Sequence, residues 1–236
     1  MRLPIYSRNR STKSQLWKRF RGLPIVTILL LFSMTLQGCN IMMIMGYLVG
    51  GPPSVDPEFD TTTNLSMTDK GVKVAVICTA PKNMKSEHPE IHTSIIKAVS
   101  ARLHEHSIKV IDPEKIVAWL DEHPEWDKPQ ELGKDLDATY VIYIDLSKFN
   151  LYEKGNQDNY RGRAEAMISV IEMDEEGEGE KIFTKSILSQ FPYAVSRSAQ
   201  DISYTKFKRE YRAHLSDIIG RLFYEYYNGD DFDAAT

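Results

Sequence analysis

The sequence of 236 residues has little cysteine, and its charge is unevenly distributed. Only Cys39 and Cys78 are present, so no network of disulfides can hold the fold together. No Asp or Glu precedes Asp56, whereas seven Lys and Arg lie within the first 21 residues. The 42% hydrophobic and 26% charged residues exclude a multi-span membrane protein, a collagen-like fibre and a wholly disordered chain. The composition predicts one globular domain that is stabilised by burial of its own core.

Several motifs of common enzyme classes are also absent. The sequence contains no Gly-x-Ser-x-Gly elbow, no His-Glu-x-x-His and no Gly-x-Gly-x-x-Gly. Serine hydrolases of that type, zincins and dinucleotide-binding enzymes are therefore disfavoured. The sequence offers no catalytic residue and implies no cofactor or metal. A periplasmic hydrolase or metal-dependent enzyme whose site follows no recognised motif stays open as an alternative to a binding protein.

A basic segment followed by an apolar run opens the chain. The seven basic residues precede residues 23–36, which carry no charge. This layout is typical of a secretory signal, in which the positive charges stay in the cytoplasm and the following chain is exported. Leu36-Gln37-Gly38-Cys39 comes next, and it resembles the lipobox of bacterial lipoproteins.

The resemblance to bacterial lipoproteins implies a specific processing route. In that family the cysteine receives a diacylglycerol thioether, the chain is cut before it, and the new amino group is acylated, with palmitate as the expected chain. Leu36 matches the large aliphatic position, Gly38 the small residue before the cut, and Cys39 the lipidated residue. The alternative is an uncleaved transmembrane helix, because residues 23–49 are uncharged and exceed the roughly 20 apolar residues that span a bilayer.

Both interpretations place the rest of the chain on the periplasmic side of a membrane. The resemblance implies a signal peptide over residues 1–38, and we expect a lipid anchor and flexible tether over 39–71, where Gly and Pro are followed by polar residues without period. One domain over 72–228 and a polar tail over 229–236 complete the prediction. Without residues 1–38 the chain holds 22 Lys and Arg against 33 Asp and Glu, a net charge of -11 that disfavours nucleic-acid binding.

Hydrophobic periodicity predicts alternating strands and helices in this domain. The predicted strands are 72–78, 108–111, 139–146, 161–173 and 181–190. Amphipathic helices are expected after Pro89, after Pro113 and over 201–227, and a polar turn is expected over 153–159. The resulting fold class is α/β: a central mixed sheet of about five strands with flanking helices, two β-α-β crossovers, an antiparallel hairpin and a long C-terminal helix.

A second resemblance covers residues 72–190. A strand Lys73–Ile77, a strand Ser107–Ile111, the segment Leu132–Ile142 and a hairpin with an acidic turn follow one another. This order resembles the envelope lipoprotein domains related to the curli secretion channel and to the N-terminal domain of the translocation protein TolB. The resemblance implies a component that assembles complexes at membranes, and it carries over no binding residues. A secretion-channel subunit, with 160–173 and 181–191 inserted as membrane hairpins, is a further alternative.

The histidines, an acidic tract and Cys78 are candidate site residues. His88 and His92 are four residues apart, and His104 and His106 flank Glu105, but surface histidines are favoured over a metal site. The acidic tract 172–180 lacks the spacing of an EF-hand and is interpreted as a solvated turn. Cys78 ends an apolar strand, which favours a buried residue over a nucleophile.

Two more groups are candidates for contacts with a partner. A solvated face is favoured for the basic residues, which could otherwise contact an anionic head group: Arg161, Arg163, Lys206, Lys208, Arg209 and Arg212. Tyr224 and Tyr227 lie off the apolar stripe of the last predicted helix, as side chains of a partner surface would. The sequence thus predicts a membrane-anchored exported lipoprotein, with a non-enzymatic binding or scaffolding role and an envelope protein as partner.

Overall fold

The computed structural model describes residues 54–227 and, before them, Met45, Gly46 and Leu48. A boundary between Pro53 and Ser54 separates the chain into two units, and the domain described below begins at Ser54. Among the described residues, no helix combines the length and the apolar character that crossing a bilayer requires.

The domain contains short and long elements in an α/β order. Its strands are β1 Ser54–Val55, β2 Val74–Thr79, β3 Tyr140–Glu153, β4 Asn156–Met173, β5 Gly179–Phe191, β6 Arg197–Ser198 and β7 Tyr226–Tyr227. Its helices are α1 Glu58–Thr63, α2 Lys82–Glu87, α3 Ile91–Glu105, α4 Pro113–Glu122, α5 Pro129–Asp135 and α6 Tyr204–Gly220.

The main sheet has five strands in mixed orientation. Its order is β2-β3-β4-β5, with β2 and β3 parallel, the other neighbours antiparallel and β6 paired to β4. Beyond β2, Val110 forms a single parallel bridge with Val74, so the predicted strand 108–111 is reduced to one bridge. The chain therefore passes from β2 through α3 to Val110, and from there through α4 and α5 to β3. The predicted fold class, with its two crossovers, is confirmed.

The core lies on both faces of this sheet. Side chains of β2 from Val74 to Cys78 are all buried, because the strand is apolar and covered on each side. On one face, α6 packs so closely that a Cβ at Gly162 would overlap the ring of Tyr211. On the other face, α5 approaches Val141 and Met173 across Gly133. The glycines at 162 and 133 thus set how near each helix can lie to the sheet.

The predicted tether over 39–71 is wrong for residues 54–71. This segment forms β1 and α1, and the side chains of Phe59 and Met67 are almost completely buried. The Phe59 ring lies 5.9 Å from that of Tyr140 and 5.7 Å from that of Phe183. One aromatic residue among polar neighbours has no hydrophobic period, so the sequence pattern does not reveal that it enters the core.

Two other element boundaries also differ from the prediction. The turn between β3 and β4 contains only Lys154 and Gly155, where Gly155 has a φ of 76°, so β3 and β4 are longer than predicted. The last helix ends at Gly220 instead of continuing to 227, and Tyr226–Tyr227 pairs with Ser54–Val55 as a separate two-stranded sheet. Tyr226 falls on the apolar stripe at helical spacing from which the longer helix is predicted, so the sequence pattern does not show where the helix ends.

Candidate functional site

The longest strands of the sheet extend beyond β2. The last pair between β2 and β3 is Thr79 with Asp145, whereas β3 continues to Glu153. In the described part of the chain, this continuation of β3 has β4 on one side and no strand on the other. We call residues 147–165, which form the continuation of β3, its turn and the start of β4, the hairpin end.

The hairpin end borders a cleft made of two adjoining cavities of about 770 and 500 Å³. Both cavities are lined by Asn150, Lys154 and Arg163, so they form one continuous surface, here called the hairpin cleft. The larger cavity lies along the turn, and the smaller one is closed by α2 through Asn83, Met84 and Glu87. The cleft is therefore built from two strands, their turn and a short helix.

One carboxylate organises the charges of the cleft. Glu153 forms ion pairs with Arg161 at 2.8 Å and with Arg163 at 3.1 Å. Its Oε1 also accepts a hydrogen bond from the backbone N–H of Lys154 at 2.8 Å, and Arg163 donates to the carbonyl of Tyr152 at 2.7 Å. The Lys154 amide and the Arg163 side chain hold the pKa of Glu153 below its usual value. A carboxylate that is kept ionised and has its oxygens occupied is a poor general base.

The ladder between β3 and β4 becomes irregular at the hairpin end. Register shifts follow Leu146, Asn150 and Tyr152, so the strand edge is bulged. Lys148 forms an ion pair with Glu165 across the ladder at 2.9 Å, and Ser147 donates to the carbonyl of Glu165 at 3.1 Å. Bulges and charges of this kind protect an unpaired edge from random strand pairing.

Aromatic rings support the hairpin end from the side of α6. Tyr152, Tyr160 and Tyr204 form a cluster with ring centres 5.5 to 6.1 Å apart. Phe207 continues this cluster into the core and lies 5.1 Å from Tyr160. Burial raises the pKa of Tyr204, so its hydroxyl stays neutral near pH 7. The hairpin end is therefore supported by packed aromatic side chains.

The outward groups of the cleft are hydrogen-bonding side chains. The side-chain oxygens of Asn150 and Asn156 accept the backbone N–H groups of Tyr152 and Asp158, both at 2.8 Å. Each amide is thereby held in place, and its NH₂ group donates to no other group in the described part of the chain. Lys154 and Gln157 add an ammonium group and a further amide. This arrangement is suited to binding a polar ligand or an extended segment of another chain.

The predicted lipidation residue lies outside the described residues. Cys39, the cleavage residue Gly38 and the aliphatic Leu36 all precede residue 54, so their roles stay predictions. Cys78 is buried and forms no disulfide, and burial raises the pKa of its thiol. The prediction that Cys78 is a buried residue is confirmed.

The histidines pack against aromatic rings or are partly buried, and the acidic tract forms a hydrogen-bonded turn. Within the described ranges, no group of three or more His, Cys, Asp and Glu side chains could hold a metal ion. His88 packs edge-on against Phe149 at 5.2 Å, and His106 stacks on Tyr224 at 3.5 Å. Burial lowers the pKa of His88 and of His92. The acidic tract turns the chain after Asp174, whose side chain accepts the backbone N–H of Glu178 at 2.8 Å.

The basic residues that were considered together occupy two separate places. Arg161 and Arg163 belong to the ion pairs of Glu153, while the other four lie on α6: Lys206, Lys208, Arg209 and Arg212. The proposed partner role of Tyr224 is wrong, because its side chain is buried and its hydroxyl donates to Asp217 at 3.0 Å. Tyr227, in β7, is about half exposed.

Sequence reasoning missed Asn150, Glu153 and Lys154 as site residues. It placed Glu153 in a polar turn over 153–159, where no pairing with the two arginines is expected. The dipeptide Lys154-Gly155 is the sequence signal for a two-residue turn at this point, because glycine allows the positive φ that a tight hairpin requires. A tight turn would have placed Glu153 on a strand facing β4.

Comparisons with known proteins yield structural similarities alone. The sequence matches no family model and no curated protein. Among solved structures, PelC from Paraburkholderia phytofirmans, described as a dodecamer, shares 10% identity over 73% of this chain and 96% of that chain, with a TM-score of 0.42. Lipoprotein GNA1162 from Neisseria meningitidis shares 10% identity over 63% and 98%, with a TM-score of 0.40. The hypothetical protein CT253 from Chlamydia trachomatis shares 18% over 66% and 92%, with a TM-score of 0.37. Similarities at this level leave the function of the chain to be argued from its own residues.

Proposed function

We propose that this protein is an exported lipoprotein, attached to a membrane of the cell envelope, whose α/β domain binds another envelope component without catalysing a reaction. The basic segment, the apolar run and Leu36–Cys39 support the attachment. The hairpin cleft supports the binding role. The partner we propose is an envelope protein that contributes an extended or polar segment to the cleft.

The observation that carries the binding role is the chemistry of the hairpin cleft. Its carboxylate Glu153 is neutralised by Arg161 and Arg163, so it does not act as a free base. Its amides are held by local hydrogen bonds and present donors outward. Preorganised donors around a large open surface favour recognition, because little side-chain entropy is lost when a partner binds.

Photo-cross-linking in living cells tests the binding role. A photo-cross-linking side chain at Asn156, in the cleft, should give a discrete adduct of higher mass, and mass spectrometry would identify the attached protein. The matched control is the same side chain at Lys115, which is exposed on α4 and lies outside the cleft. An adduct pattern from Asn156 that equals the pattern from Lys115 would contradict the proposal.

Lipid attachment is tested separately at its cysteine. Cys39→Ala should abolish incorporation of labelled palmitate and leave the unprocessed precursor, because the thioether can form only on the thiol. The mass of the purified protein and the retained label report the result. A matched Cys78→Ala variant should keep both label and processing, since Cys78 is buried in the domain. Unchanged labelling of Cys39→Ala would refute the lipoprotein assignment and favour the uncleaved transmembrane helix.

A further inference from the structure

Helices α3 and α6 pack side by side and leave a groove on their outer surface. The groove has a volume of about 270 Å³, and small residues form its floor: Ala98, Ala101, Ala213 and Ser216. Small side chains let two helices approach while leaving open space between their larger neighbours. We call this space the helix groove. It lies apart from the hairpin cleft, with which it shares no residue.

One arginine of the helix groove is held in a fixed position. Arg102, on α3, donates from Nε to Asp217 at 2.8 Å and forms an ion pair with Glu105 at 3.1 Å. Two carboxylates thus bind the guanidinium group from different sides. The Arg102 side chain therefore lines the groove in a fixed orientation, and its positive charge is compensated by the two carboxylates.

The other two arginines of the groove have no such balance. In residues 54–227, neither Arg209 nor Arg212 has a carboxylate within ion-pair distance. The remaining arginines of that range all form ion pairs with a carboxylate: Arg102, Arg161, Arg163, Arg197 and Arg221. Both unpaired arginines line the same groove. Because they are three residues apart on one helix, they lie on the same face.

The charges of the groove favour a phosphate anion. Arg102 is paired with Glu105 and Asp217, and Asp217 also pairs with Arg221, so these four charges cancel and the positive charges of Arg209 and Arg212 are left in excess. A phosphodiester carries one negative charge, whereas a phosphomonoester carries nearly two above its second pKa of about 6. Guanidinium groups bind phosphate oxygens through paired N–H donors, which makes arginine the preferred residue for this group.

We propose that the helix groove binds a phosphate group through Arg209 and Arg212, with Arg102 orienting the site. The head group of a phospholipid and free phosphate share this chemistry. Choosing the phospholipid rests on the proposed function, since a lipid on Cys39 would keep the domain near a bilayer.

Calorimetric titration of the full-length protein, kept in a non-ionic detergent, tests the groove. The two probes are inorganic phosphate and a short-chain phosphatidylglycerol. R209Q/R212Q should weaken binding at least about tenfold, since each arginine would lose a charge-assisted hydrogen bond. The matched control is K206Q/K208Q, which removes two positive charges from the same helix but none from the groove. We expect a change of about twofold or less for this control. Thermal unfolding of both double variants should match that of the wild type, because no ion pair is lost.

The outcomes separate the two sources of phosphate. Binding of phosphatidylglycerol but not of inorganic phosphate would assign the groove to a lipid, and equal binding of both would assign it to a free phosphate. Equal losses in R209Q/R212Q and K206Q/K208Q would overturn the proposal in favour of a diffuse helix charge. Failure of both probes to bind the wild type would also overturn it. These measurements do not depend on lipid attachment or on a partner of the hairpin cleft, so failure of the proposed function would be seen separately.

Discussion

The two halves of the β3–β4 ladder differ in regularity, burial and charge. From Tyr140 to Leu146, β3 pairs with β4 without a register shift, and up to Asp145 it has β2 on its other side. We call this part the covered half. At the hairpin end the same two strands contain three register shifts, ion pairs and a cleft. One pair of strands therefore serves as framework at one end and as an exposed surface at the other.

The difference follows from what lies against each half. Ile142 and Ile144 are completely buried because helices cover the sheet there. Beyond Asp145 the strand loses β2, and its sequence changes to alternating polar residues. Regular pairing is thus maintained where both faces exclude water, and irregular pairing is tolerated where solvent can satisfy the backbone. The proposed binding surface lies at the hairpin end, which is the exposed continuation of the covered half.

The largest expected effect is removal of the Phe59 ring. Phe59 is completely buried against the covered half through Tyr140 and Phe183. Phe59→Ala should lower the free energy of unfolding by about 3–5 kcal/mol, through lost burial and a cavity. Denaturant unfolding of the protein measures this loss. The control is Tyr193→Ala, an aromatic residue 55% exposed, with an expected change of about 0.5 kcal/mol or less. Equal effects of the two substitutions would show that residues 54–71 do not stabilise the domain.

A comparable truncation inside the covered half tests its role as framework. Ile142→Ala removes a side chain from the middle of β3 and should cost about 2–5 kcal/mol. Leu188→Ala is the control, because Leu188 is 78% exposed on β5 and should change stability by about 0.5 kcal/mol or less. The same denaturant measurement compares them. A loss at Ile142 no larger than that at Leu188 would contradict the distinction between a covered and an exposed half.

The smallest expected effect concerns the charge of the hairpin end, and it depends on pH. The pKa of Glu153 is lower in the folded protein than in the unfolded chain, where Glu titrates near about 4.3. Its stabilisation is therefore present above that value and is lost as the pH falls through the folded-state pKa. Glu153→Gln should be less stable than the wild type near pH 7, by a margin that disappears as the pH falls through the folded-state pKa of Glu153.

Chemical unfolding at several pH values measures this margin for Glu153→Gln. Glu175→Gln is the control, since Glu175 lies exposed in the acidic turn and forms no ion pair among residues 54–227. Its stability should stay within about 0.5 kcal/mol of the wild type, as for other exposed substitutions. A Glu153→Gln margin that persists in acid would mean that hydrogen-bond geometry, and not charge, holds the hairpin end together.

Much of the framework could be predicted from local patterns. The apolar runs around Val76 and Ile142 predict buried strands because both faces of such a strand must avoid water. Asp112-Pro113 predicts the start of α4, and the Asp112 side chain accepts the backbone N–H of Glu114 at 2.9 Å. These signals involve residues that are near one another in the chain. The candidate site was predicted less well, since only Arg161 and Arg163 had been singled out.

What the sequence by itself determined is therefore the alternation of strands and helices, which depends on period, composition and adjacent residues. The export signal before Cys39 rests on local patterns of the same kind and stays a prediction. Tertiary structure alone decided that Phe59 enters the core, that Glu153 pairs with two arginines, and that Arg209 lines the same groove as Arg102 of another helix. In each of these cases the partners lie far apart in the chain or depend on strand register. Which residues meet is then set by how helices and strands pack around a common core, and no local period records that choice.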